Sequence, residues 1–240
     1  GEIRKKHLAA LSELLKIPFA ESYEVATFYA HFDVIEDDEP SIQDITIRVC
    51  DSLTCELFGS EKLIKDLSEN LDEKKIRVLR APCMGLCDKA PACEVGHKHV
   101  ENSNLEKIKK VISDKDFHPT VIKGKSLKDY IKDGGYEILK KCYSNKLSVE
   151  NVIEVLNNSG LKGMGGAGFP SGQKWKFVRM ETGPRLMTIN GDEGEPGTFK
   201  DKLYLEQNIH KFFEGMLIAA WAVDAKEIYI YMRDEYPGIR

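Results

Sequence analysis

The spacing of apolar residues changes period several times along the chain, and each change predicts an element. Leu8, Leu11 and Leu15 recur at helical spacing, and Pro18 ends that run. A second helix is expected over Tyr23–His31, capped by Ser22, with Val25, Phe28, Tyr29 and Phe32 facing inward. The acidic stretch Glu36–Pro40 then reads as a hinge. From Ile42 the period shortens, and Ile45, Ile47 and Val49 alternate into a strand ending at Cys50. A helix over Glu61–Leu71 follows, with Leu63, Ile64 and Leu67 inward, and then a strand over Ile76–Leu79. Two further strands, Ala92–Val95 and His99–Glu101, lead to a helix that starts at Asn104 and buries Leu105, Ile108, Val111 and Ile112.

The order βα and then ββα is that of a thioredoxin-like domain. Ser113–Ser126, with Pro119 and Gly124, reads as a linker, followed by short helices around Leu127–Lys132 and Tyr136–Lys141. Ser148 caps a clearer helix, in which Val149, Val152, Ile153 and Leu156 fall on one face and Gly160 marks the end. A strand over Arg185–Asn190, an amphipathic helix carrying Ile209, Phe212, Phe213 and Met216, and a strand over Glu227–Met232 imply a parallel pair joined by a crossover. The expected architecture is therefore α/β, in four parts. A helical segment spans 1–36, a thioredoxin-like domain 41–113, a linker 114–126, and part of a second α/β domain 127–240.

Between those last elements lies a passage that periodicity does not explain. Ten of the nineteen glycines fall between Gly160 and Gly197, eight of them in LKGMGGAGFPSGQKWKF and NGDEGEPGTFKD. Clustered glycine is costly on folding unless the backbone must approach something closely or adopt positive φ. Phe169, Pro170, Lys174, Trp175 and Phe177 interleave with these glycines, which a flexible linker would not require. The passage reads as a wall around a ligand, with Asp192, Glu193 and Glu195 delivered at a strand end, where α/β sheets bind ligands.

Six cysteines are present among 240 residues. Cys50 and Cys55 form a C-x4-C pair, and Cys83 and Cys87 a C-x3-C pair. Both pairs sit just past the ends of successive strands. If those strands are parallel, four thiolates converge on one edge, as an all-cysteine iron–sulfur cluster needs. Structural zinc is the main alternative, although it favours tighter knuckles. The C-x-x-C of a redox dithiol is absent here. Cys93 falls on an expected strand and Cys142 is distant, so both are read as small core hydrophobes. The net charge of −4, without a basic block, argues against nucleic acid as a partner. No apolar run is long enough to cross a membrane, and the first residues lack a signal-peptide core, so a cytoplasmic location is expected.

These motifs also resemble a known family. YEVATFYAHF, the C-x4-C pair and CMGLCDKAP are similar to the thioredoxin-like [2Fe–2S] subunit of NADH dehydrogenases. GLKGMGGAGFPSGQKWKF with NGDEGEPGTFKD is similar to their FMN- and NADH-binding subunit. The fusion of the two most resembles the beta subunit of NAD-dependent formate dehydrogenases, with the diaphorase subunit of NAD-reducing hydrogenases next. The resemblance implies that Cys50, Cys55, Cys83 and Cys87 hold a [2Fe–2S] cluster. It implies that Gly163, Gly165, Gly166, Lys174, Asn190, Asp192 and Glu193 contact FMN. Phe169, Lys174, Phe177 and Glu195 would face NAD. The implied partners are a molybdenum or tungsten formate dehydrogenase catalytic subunit and a small [2Fe–2S] subunit, or hydrogenase subunits in the alternative. Met164 stands where the family often has Arg. The family continues past the equivalent of Arg240 into a domain holding a [4Fe–4S] cluster, so the chain is expected to be a fragment with an incomplete flavin site.

Overall fold

The computed structural model describes residues 1–239. The N-terminal part contains β1 (Glu2–Arg4), α1 (Lys5–Leu15), α2 (Phe19–Phe28) and β2 (Asp33–Ile35). β1 and β2 pair in parallel, a contact too short to read from periodicity. The helix α2 departs from expectation in two ways. It starts after Pro18, which is preset for a first turn, so Ser22 lies inside the helix and is not its cap. The Ser22 hydroxyl instead accepts a 2.8 Å bond from Ser12 Oγ, which ties α2 to α1 through small buried side chains. Ala26 and Ser22 therefore face inward, while Val25, Phe28 and Phe32 of the expected inward set lie exposed, Phe28 at 75%.

The next part is the thioredoxin-like unit. It comprises β3 (Ile45–Cys50), α3 (Leu53–Leu57), α4 (Ser60–Asn70), β4 (Ile76–Ala81), β5 (Cys93–Val95), β6 (Lys98–Val100) and α5 (Leu105–Asp114). The sheet order is β4–β3–β5–β6, with β3 parallel to β4 and the other two pairs antiparallel. Alternation along the strands sends Ile47, Val49, Cys93 and Val95 to one face. There they pack against Leu63 and Leu67 of α4 and Ile108 of α5 to form the main core. Asn104 caps α5 through a 2.9 Å bond from the Lys107 amide, as its sequence position predicts.

Residues 116–126 run without regular structure but are not loose. The Lys125 amide bonds to the Gln207 carbonyl at 3.1 Å, and a β-carbon on Gly124 would lie 2.2 Å from the Glu206 carbonyl oxygen. Beyond them come α6 (Leu127–Lys132), α7 (Glu137–Tyr143), α8 (Val149–Ser159), α9 (Ser171–Met180), β7 (Arg185–Gly191), α10 (Lys200–Gln207), α11 (Ile209–Val223) and β8 (Ala225–Met232). β7 and β8 pair in parallel, as the strand–helix–strand pattern implies. Because they are parallel, the loop after β7 and the segment after β8 leave the sheet at the same edge. That edge meets the cysteine loops.

Candidate functional site

The parallel pairing of β3 with β4 sets Cys50 opposite Ala81 and brings both cysteine pairs to one end of the sheet. Cys50 closes β3, Cys55 lies in α3, Cys83 follows β4, and Cys87 opens a short 3-10 turn. Cys50, Cys55 and Cys83 are buried and Cys87 is half-buried, among Ala81, Met84, Leu86, Ala90 and Ala92. All four are free thiols. Cys83 and Cys87 approach to 3.4 Å between sulfurs. The thiols also act on one another. A hydrogen bond to Cys55 and then burial raise the pKa of Cys50, the same bond lowers that of Cys55, and a hydrogen bond with Cys50 followed by burial raises that of Cys83.

This donor set fits a cluster of two irons better than a single ion. Among the described residues, no three of these sulfurs lie within 4.8 Å of one another. Four thiolates around one tetrahedral zinc would all sit about 3.8 Å apart. Cys93 turns to the opposite face of the sheet, into the core, where burial pushes its thiol up to about 12. Cys142 is buried in α7, away from the quartet.

The loop after β7 closes directly on the cysteines. The Gly197 amide donates to Cys87 Sγ at 3.1 Å, across 110 residues of sequence. Glu193 is 2% exposed and turns its carboxylate inward. It accepts from the amides of Asp201 at 3.0 Å and Lys202 at 3.1 Å, in the first turn of α10, and from the Tyr236 hydroxyl at 3.2 Å. A carboxylate at a helix start satisfies amides that have no partner within the helix. Arg233 bridges the two parts, donating to the Glu193 carbonyl and to the Cys83 carbonyl. Tyr236 fills the space over Gly85, inside the C-x3-C loop. Burial, and then the neighbouring Glu193 charge, raise the Tyr236 pKa, so the hydroxyl keeps its proton and remains a donor. Arg233 and Tyr236 are site-holding contacts that motif reading missed. Their signal was positional, because RDEYP follows a strand parallel to the one that delivers NGDEGEPG.

The other predicted residues lie at more open positions. Asn190 Oδ1 accepts from the Asp192 amide at 2.9 Å, which turns the chain sharply and leaves Asp192 and Glu195 exposed. Asn190 lines a cleft of about 400 Å³ together with Gly191, Asp201, Tyr204, Lys211 and Phe212. The glycine passage 161–170 forms a separate closed loop. Gly163 N–H bonds to Phe169 C=O at 3.0 Å, and Ser171 N–H to Leu161 C=O at 2.9 Å. Gly166 and Gly168 have φ of +106° and +60°, and a β-carbon on either, or on Gly165, would meet nothing within 4 Å. The loop thus presents bare backbone to open space. Lys174 is exposed in the first turn of α9, and the Phe169 and Phe177 rings lie 6.3 Å apart and open to solvent. Open amides, a cation and two aromatic faces make a donor set suited to a phosphorylated flat ring such as FMN.

Comparisons with known proteins agree with both halves of this geometry. Residues 1–116 match the family model of the thioredoxin-like [2Fe–2S] ferredoxin, and residues 156–239 match that of the Nuo51 FMN-binding domain. The chain is 48% identical over 113 residues to an NADH-quinone oxidoreductase subunit of Aquifex aeolicus, a match that covers 47% of this chain and 26% of the relative. It is 42% identical over 112 residues to the subunit of the same name in Escherichia coli, covering 25% of that protein. It spans about a quarter of the length of these curated relatives. A chain of an air-oxidized NAD+-reducing [NiFe]-hydrogenase superposes on 98% of this chain with a TM-score of 0.76 and 25% identity, and 44% of that chain is covered. The chain is thus a mixed helix-and-sheet protein in which a thioredoxin-like [2Fe–2S] domain is followed by a segment of an FMN-binding domain.

Proposed function

We propose that this chain works in a flavoprotein electron-transfer subunit that exchanges hydride between NAD(H) and FMN and single electrons with iron–sulfur clusters. The observation that carries the reading is the joint between the two sites, in which the Gly197 amide of the flavin-side loop bonds to Cys87 of the quartet. Bound FMN supplies the step between two-electron and one-electron transfer, and the protein supplies position and electrostatics. In this assignment the amides of Gly165 and Gly166 meet the flavin phosphate, and Gly163, whose own amide closes the loop onto Phe169, contributes bare backbone against the flavin. Lys174 offsets phosphate charge, and Phe169 and Phe177 exclude water and offer apolar faces to the nicotinamide nucleotide. Asn190 and Asp192 are the polar contacts nearest the acidic loop. Glu195 accepts from nucleotide hydroxyls or amide. Glu193 acts through position, holding the loop onto α10 and Tyr236. Cys50, Cys55, Cys83 and Cys87 ligate the cluster.

On the resemblance of the fused sequence, the electrons come from formate oxidised at a molybdenum or tungsten centre in a partner subunit. Hydrogen is the second reading, favoured by the superposition of nearly the whole chain on the NAD+-reducing hydrogenase. Copurification of the full-length subunit with its native partners separates the two. Molybdenum or tungsten with formate-dependent NAD+ reduction supports formate, whereas nickel with hydrogen-dependent reduction supports the hydrogenase reading. A full-length subunit that binds no FMN and does not oxidise NADH with an artificial dye would refute the flavoprotein assignment itself.

A further inference from the structure

The face of the thioredoxin-like sheet opposite the core carries a second group of metal-binding side chains that the electron-transfer reading does not use. Glu94 sits at its centre, on β5, 2% exposed between Arg48 on β3 and His99 on β6, its neighbours in the ladder. Two histidines reach that carboxylate, and a third part of the chain backs one of them. His31, from the end of the N-terminal helices, places Nε2 2.7 Å from Glu94 Oε2. His97, in the turn after β5, places Nδ1 3.6 Å from Glu94 Oε1. Asp234, after β8, touches the other nitrogen of His31, Nδ1.

This arrangement has the logic of a histidine ligand. His31 Nε2 meets the buried Glu94 carboxylate at hydrogen-bond distance, and with Nδ1 close against Asp234 a bound ion would take the place of the proton now shared between His31 and Glu94. Metal-bound histidine usually gives its other N–H to a carboxylate, which fixes the tautomer. Glu94 Oε1 is buried and makes no hydrogen bond. Its separation from His97 Nδ1 is close to the ligand–ligand edge of about 3.4 Å expected around a tetrahedral ion with ligands at about 2.1 Å. Arg48 Nη1 lies 3.9 Å from Glu94 Oε2, an ion pair without a hydrogen bond, and so leaves Oε1 open to a further cation.

We propose that His31, Glu94 and His97 form a binding site for a divalent transition cation of the zinc type, with Asp234 as the positioning partner of His31. Donor atoms of the three ligands all lie within 4.8 Å of one another, a condition the cysteine quartet does not meet. His97 is exposed, so the fourth position opens to water. The ion would staple the N-terminal helices, the ferredoxin sheet and the segment after β8, the same segment whose Arg233 and Tyr236 hold the cysteine loop.

The test is equilibrium dialysis of the cluster-loaded full chain against Zn2+, with zinc and iron measured together and zinc X-ray absorption on the bound form. The expected result is one zinc beyond the iron, surrounded by nitrogen and oxygen only. His97→Ala, at an exposed position that leaves the fold intact, should weaken that binding by about tenfold or more, and Asp234→Asn should weaken it by a similar factor. Absence of bound zinc, equal binding by His97→Ala, or sulfur in the zinc shell would each overturn the proposal.

Discussion

Gly85 is the position where one added carbon tests most sharply how the cysteine loop is held. Its φ is +65°, and a β-carbon there would lie 2.5 Å from Tyr236 Oη and 2.7 Å from Cε1. Tyr236 is 1% exposed and bonded to Glu193, so it has no free direction in which to retreat. Left-handed backbone costs a residue with a β-carbon about 1 kcal/mol, and overpacking at a rigid site adds about 1–3 kcal/mol. Gly85→Ala should therefore destabilise the protein by about 2–4 kcal/mol, or lower Tm by about 5–15 °C for a chain of this size. Thermal unfolding with parallel iron analysis is the assay, and cluster content should fall together with Tm. Tyr236→Leu removes the opposing ring. In the double variant the steric part should be recovered, giving a coupling of about 1–3 kcal/mol, while the φ cost remains. A Tm for Gly85→Ala within about 2 °C of the parent, at most about 1 kcal/mol, or strict additivity with Tyr236→Leu, would refute the packing of Tyr236 onto the C-x3-C loop.

Four further outcomes follow from the same geometry. Cys83→Ser should abolish the paramagnetic signal of the reduced cluster while leaving NADH-to-dye activity of the full-length subunit largely intact, and joint loss would show that the two functions are inseparable. Lys174→Ala should weaken flavin or nucleotide binding about tenfold, on the worth of one charge-assisted contact, and unchanged flavin content and NADH kinetics would refute its role. Glu193→Gln exchanges a carboxylate that serves three donors for an amide with one acceptor oxygen. It should cost about 2 kcal/mol in denaturant unfolding, and a neutral result would remove the loop-holding role. Arg77 holds the Asp33 carboxyl below its usual range through paired bonds, one of them 2.9 Å. A carboxyl with a depressed folded pKa adds stability above its unfolded pKa and loses it as pH falls through the folded value. The stability gap between parent and Asp33→Asn should thus be full at neutral pH and close under strongly acid conditions. A gap that persists unchanged in acid would contradict this.

Much of this organisation was legible in the sequence because it rests on local rules. Alternation at Ile45–Cys50 and the caps at Asn104 and Ser148 are written in a few adjacent residues, and the structure keeps them. Parallel pairing of β3 and β4, inferred from strand–helix–strand order, is what makes two distant cysteine pairs converge. The failures have a common physical origin. The inward face of α2 could not be read from hydrophobicity, because close approach to α1 selects Ser22 and Ala26 and leaves Phe28 outside. The helices α9 and α10 were hidden by glycine, charge and motif residues whose spacing carries no apolar stripe. Arg233 and Tyr236 act only across the sheet edge, through Cys83, Gly85 and Glu193, and no local pattern announces a partner 150 residues away.

The central claim is that the loop after β7, assigned to the flavin side, closes on the cysteine quartet, so that cluster and flavin are held next to each other. Anomalous diffraction at the iron edge, on crystals of the full-length subunit loaded with FMN, tests it most directly. The account predicts a two-iron peak enclosed by Cys50, Cys55, Cys83 and Cys87, with the Gly197 amide on Cys87. It also predicts flavin density bounded by the Gly163–Gly168 backbone on the same side of the molecule. Iron located elsewhere, a single metal within the quartet, or flavin on the far side of the sheet from Gly197 would contradict it.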